Sequence, residues 1–156
     1  MRRRPMGLAK LSQGERIVLI AGLLLIVDLL FVPWYDVDLS GLDIDVRRLA
    51  VNVGVDTTLT AVQSPYAGYG VAAVILTGVM VVQIVLARLL SVRLPAPGVP
   101  WSQIHLVAGV FVAVVLAVKL VRDLESLAYG SYCAVLGGIL VAYGGYCIAR
   151  DAAGPA

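Results

Sequence analysis

The chain is short of charge: 14% of its 156 residues are Asp, Glu, Lys or Arg, while 60% are apolar. A soluble domain of this length would need more polar surface than that, so the balance points to the membrane class. Histidine occurs once and cysteine twice. Two thiols and one imidazole make no plausible zinc or iron–sulfur set. Cys133 and Cys147 fall in the same apolar stretch, and as helical positions they would stand about 21 Å apart, beyond disulfide reach. They read as buried, inert thiols, with an intermolecular bridge through Cys133 as the other possibility. No serine, histidine and acid set of a recognisable intramembrane protease is present, and no glycine-rich phosphate loop. These shortages argue against an enzyme and imply no cofactor. The small net charge of +2 gives no ground for a nucleic-acid partner.

Long apolar runs are what the chain does have. Four of them, Ile17 to Pro33, Gly68 to Ala87, Ile104 to Leu120 and Ala128 to Ala149, approach the roughly 20 residues needed to cross a hydrocarbon core. The expected fold is therefore an all-α membrane protein, a single domain over residues 1–156. It is a four-transmembrane-helix bundle with spans near 17–34, 68–88, 103–120 and 128–149. The first run could also be a signal peptide, but it carries Asp28 and closes on Val32, Pro33 and Trp34 without a small-x-small cleavage pattern, so it reads as an uncleaved anchor.

Orientation follows from the basic residues. Arg2, Arg3, Arg4, Lys10, Arg16, Arg88, Arg93 and Arg150 share one side of a four-span layout, and most acids fall on the other. The positive-inside bias then puts both termini in the cytoplasm of a multi-pass protein of the cell membrane. Ser12 followed by Glu15 has capping-box spacing and predicts a helix that starts before the bilayer. Pro95, Pro97, Gly98 and Pro100 make the inner loop a stiff elbow ending at Trp101.

The outer loop, residues 35–65, begins with alternation: Tyr35, Val37 and Leu39 against Asp36 and Asp38, then Leu42, Ile44 and Val46 against Asp43 and Asp45. That pattern predicts a short β-hairpin turning at Ser40 and Gly41, with Asp38 opposite Asp43 and Asp36 opposite Asp45. Four carboxylates on one face repel unless compensated by water, by Arg47 and Arg48, or by a calcium ion on Asp36, Asp38, Asp43 and Asp45.

Polar residues within the runs are few. Asp28 lies about 9 Å below Trp34 at the helical rise, at a depth where an unpaired ionised carboxylate is costly. Lys119 approaches the same end at similar depth, so an Asp28 to Lys119 pair is the structural expectation and an ion or proton relay the functional one. Gln83 and His105 both lie toward the cytoplasmic side, where a hydrogen bond between them, or to a backbone carbonyl, is expected. In the last run Gly130, Ala134, Gly138 and Ala142 repeat every four residues. Small residues at that spacing permit close helix packing in lipid, either within the bundle or across a homodimer.

The stretch Leu11, Ser12, Gln13, Gly14, Glu15, Arg16, Ile17, with its exit at Val32, Pro33, Trp34 and Tyr35, resembles small uncharacterised four-span membrane proteins of actinobacteria. The layout, a strand-bearing first outer loop and a short second one, also looks like the claudin arrangement. The two cysteines that staple the claudin outer loop have no counterpart in this loop. Neither resemblance implies an activity. The expected function is that of a non-enzymatic accessory or scaffold subunit binding partner helices in the bilayer, or a second copy of itself. The alternative is a small transporter or channel with Asp28, Lys119 and Gln83 near a polar path.

Overall fold

The computed structural model describes residues 11–36, 44, 58–63, 66–92, 98–122 and 127–154. It is mostly helical, with four helices among these residues: α1 (Gln13–Phe31), α2 (Ala67–Ile84), α3 (Trp101–Arg122) and α4 (Tyr129–Ala153). They pack as a ring in which α1 touches α2, α2 touches α3, α3 touches α4, and α4 closes on α1. The α4 helix makes the most extensive contacts, on α3 and α1.

Local chemistry sets the ends of these helices. The Ser12 hydroxyl accepts the Glu15 amide at 3.3 Å while Glu15 Oε2 accepts the Ser12 amide at 2.8 Å, the reciprocal capping box expected from the spacing. At its far end α2 runs into a π-helical turn, Val85–Leu89, whose wider winding is closed by the Leu90 N–H on the Val85 carbonyl at 3.0 Å.

Three helical segments are long and apolar enough to cross a membrane: Ala67–Leu89, Trp101–Arg122 and Tyr129–Ala153. The α1 helix, with Glu15, Arg16 and Asp28 within its 19 residues, is more charged than these three. Apolar side chains line the outside as well as the core. On α2 the exposed face runs Val71, Ile75, Val79 and Val82, and on α3 it includes Val107, Phe111, Val114 and Val118. A helix that is apolar on both its buried and its exposed faces belongs in lipid. The chain is accordingly a multi-pass membrane protein.

The two-stranded antiparallel hairpin expected after α1 is present, but the partner strand differs from the one expected. Strand β1 (Pro33–Asp36) pairs antiparallel with β2 (Thr58–Thr60), placing Asp36 opposite Thr58 and Tyr35 opposite Leu59. Alternation identifies a strand but is blind to its partner; here a segment more than twenty residues on supplies it. Asp38, Asp43 and Asp45 lie outside the described residues. Strand β1 is also tied to the start of α4, through the Ala128 N–H on the Trp34 carbonyl at 2.9 Å.

The small-residue strip of α4 is taken up inside the ring. A β-carbon at Gly130 would stand 2.5 Å from the Pro33 carbonyl oxygen, and one at Gly138 would stand 3.1 Å from Leu116. Ala134 is wholly buried, and Ala142 backs onto Gly109 of α3. Of the two uses open to this strip, packing against its own neighbours is the one the fold employs.

Candidate functional site

Polar chemistry gathers at the two ends of the ring. At the end near β1, Lys119 is wholly buried, its Nζ 5.1 Å from the Trp34 ring centre and 5.3 Å from that of Tyr35. The ammonium also donates to the Tyr66 carbonyl oxygen at 3.4 Å. Ring faces carry negative quadrupole density, so they and the carbonyl stand in for part of the water an ammonium loses on burial.

The expected Asp28 to Lys119 ion pair is not formed. Asp28 lies beside the Trp34 indole instead, with its Oδ2 buried and without a hydrogen-bond partner among the described residues. Matching depth along two helices does not make two side chains meet, because the aromatic ring of Trp34 contacts both. Tyr66, at the start of α2, holds a left-handed backbone with φ 61°, which turns the chain into the helix next to that carbonyl.

The opposite end is an open cleft of about 370 Å³ among the start of α1, the π-helical turn, the start of α3 and the end of α4. Glu15, buried on α1, accepts the Arg88 Nε–H at 2.6 Å, while the arginine side chain is 56% exposed at the cleft mouth. One carboxylate thus both caps α1 and anchors the π-helical turn, and the pair joins residues 73 positions apart. Gln83 and His105 form the hydrogen bond expected of them, Oε1 to Nε2 at 2.8 Å. The imidazole is 3% exposed and its Nδ1 has no hydrogen-bond partner among the described residues. Close backbone packing holds His105 in place: a β-carbon at Gly145 would lie 2.5 Å from its carbonyl oxygen.

Reading from sequence found Gln83 and His105 but missed the Glu15 to Arg88 pair, having assigned Glu15 to the helix cap and Arg88 to topology. The available signal was two opposite charges expected at one membrane face. Asp151, on the last turn of α4, completes the cleft and pairs with Arg150 at 3.5 Å. Among the described residues no group of three or more His, Cys, Asp or Glu side chains is arranged to hold a metal ion.

Between the two ends the core is mostly apolar, with the hydroxyl of Thr77 on α2 buried within it. Val18, Leu25 and Leu29 of α1, Val112 and Leu116 of α3 and Val141 of α4 are buried to 1% exposure or less. They separate Lys119 from His105 by a layer with no polar step among these side chains. None of the family models, curated proteins or solved structures compared with this chain matches it.

Proposed function

We propose that the chain is a non-enzymatic, four-span protein of the cell membrane, with both ends cytoplasmic, that serves as an accessory or scaffold subunit. The observation that carries this reading is the packed apolar interior between two polar ends. A conduit needs a series of polar groups or water along its length, and the buried side chains there are mostly apolar, Leu25, Leu29, Val112 and Leu116, with the hydroxyl of Thr77 among them. The alternative, a transporter or channel working through Asp28, Lys119 and Gln83, would have to open that layer.

The α1 helix is the fourth span in this reading. Its exposed side chains Ile20, Leu24, Val27 and Phe31 form an apolar face like those of the other helices, and pairing with Arg88 compensates the charge of Glu15. The α4 strip is spent internally, so partner helices would meet the outer stripes, such as Val107, Phe111 and Val114 on α3. Van der Waals packing would drive that contact, since lipid offers apolar surfaces no hydrophobic reward for associating.

The test uses the full chain in its native membrane, with a photocrosslinking side chain placed at Phe111 or, as a control, at Leu116. A stoichiometric crosslink to another membrane protein from Phe111 and none from Leu116 supports the scaffold reading. Solute or ion flux in liposomes that disappears on Asp28→Asn would overturn it. Cysteine-free chain bearing single new cysteines at residues 10 and 154 tests orientation, both reacting with an impermeant thiol reagent only from the cytoplasmic side.

A further inference from the structure

The open cleft at the Glu15 end has a chemistry that the scaffold reading leaves unused. Among the described residues its walls carry one cation, Arg88, and two carboxylates, Glu15 and Asp151, the latter also within 3.5 Å of Arg150. Arg88 spends its Nε–H on Glu15, which leaves its two terminal nitrogens to bind a further acceptor bidentately. Next to it stand Ser102 and the first turn of α3. This helix begins after Pro100, whose carbonyl accepts the Gln103 and Ile104 amides. The Trp101 and Ser102 amides precede the first intrahelical bonds, at the positive end of the helix dipole.

The opposite wall has the reverse polarity. It is the last turn of α4, with Ile148, Asp151 and Ala152, where carbonyl groups and the negative end of the dipole face outward. Glu15 adds a second carboxylate in the floor. His105 also lines the cleft. Its Nε2 stands 2.8 Å from Gln83 Oε1, and its Nδ1 has no hydrogen-bond partner among the described residues. Trp101 contributes an aromatic wall.

An anion-binding wall facing a cation-binding wall across one cavity is complementary to a zwitterion. We propose that the cleft binds a small molecule or headgroup in which a primary ammonium is linked by a short chain to a phosphate. The phosphate sits on Arg88, Ser102 and the start of α3, and the ammonium sits against Asp151, Glu15 and Trp101. Such a group is smaller than a cavity of about 370 Å³, which is within the usual range for ligand sites. The acceptors select N–H donors, so a quaternary ammonium of the same charge is a poor ligand.

The source of this chemistry is either a free phosphorylated amino alcohol or the headgroup of an ethanolamine phospholipid in the adjoining leaflet. Purified full-length protein is titrated with O-phosphoethanolamine, with phosphocholine as the matched control. It is also reconstituted in nanodiscs of phosphatidylethanolamine or of phosphatidylcholine. The readouts are melting temperature and ligand retention in native mass spectrometry. A rise in melting temperature with O-phosphoethanolamine identifies a free ligand, and a rise confined to the ethanolamine nanodiscs identifies a lipid headgroup. Either outcome must be at least about fivefold weaker for the choline compound and for Asp151→Asn, a change at an exposed helix end that leaves the core packing untouched. Equal response to ethanolamine and choline compounds, or full response in either Asp151→Asn or Arg88→Gln, would overturn the proposal, as would no response in any arm.

Discussion

The two ends of the helical ring handle buried charge in different ways. Near β1 an ammonium is sealed: Lys119 has no exposed surface, and Trp34, Tyr35 and the Tyr66 carbonyl enclose it. At the other end a carboxylate of similar burial is joined to a guanidinium that stands half in the open, beside a cleft. The first arrangement suits a residue that anchors structure, because aromatic rings exclude both water and ligand. The second keeps unsatisfied hydrogen-bonding capacity within reach of a visitor. Charge burial alone therefore does not mark a functional site; access does.

Reversing the sealed charge is the harshest test of that contrast. Lys119→Glu would press a carboxylate against two ring faces and a carbonyl oxygen, and a loss of about 3–5 kcal/mol or outright failure to fold is expected. Thermal unfolding in mild detergent measures it, and a near-native melting temperature would show that this end is not sealed. Backbone packing beneath the cleft comes next. Gly145→Ala drives a methyl toward the His105 carbonyl, with an expected cost of about 1–3 kcal/mol. The matched change Gly78→Ala, whose new carbon meets nothing within 4 Å, should be neutral or mildly stabilising, since alanine favours helix over glycine by about 1 kcal/mol.

Gln83→Leu leaves the buried His105 without its partner, for about 1–3 kcal/mol. Its sharper readout is the His105 ring nitrogens by NMR, where Nε2 should lose its fixed partner. The Glu15 pair should respond in two stages. Glu15→Ala loses the cap and the ion pair together, for about 2 kcal/mol. Glu15→Gln keeps a side-chain oxygen for the Ser12 amide and loses only the charge, so it should cost about half as much. If the two variants melt together, the cap contributes nothing beyond the contact with Arg88; if Glu15→Gln melts with the unaltered chain, that contact contributes nothing beyond the cap.

Much of this architecture is legible in the sequence because it depends on local sums. Span length reads directly as apolar residues multiplied by helical rise, which is why the second, third and fourth runs reappear as helices that can cross a membrane. The capping box of Ser12 and Glu15 is legible for the same reason, both partners lying within one turn. Gln83 and His105 were placed together by depth and do meet. Depth failed for Asp28 and Lys119, where the bulk of Trp34 occupies the space between helices. It also could not show that β1 pairs with the far end of its own loop, Thr58–Thr60.

By itself, then, the amino-acid order determined that there would be apolar helices, roughly where they start and stop, and how they are capped. Only the tertiary structure decided which way each helix is turned, and with it the burial of the Gly130 to Ala142 strip, the union of Glu15 with Arg88 and the opening of the cleft. The reason is physical. In a soluble protein the polar face of a helix declares which side is out, but here Val79 or Phe111 in lipid and Met80 or Val112 in the core are equally apolar. Rotation about the helix axis is then set by shape complementarity between neighbours and by a handful of polar contacts between distant residues, neither of which any short stretch of sequence contains.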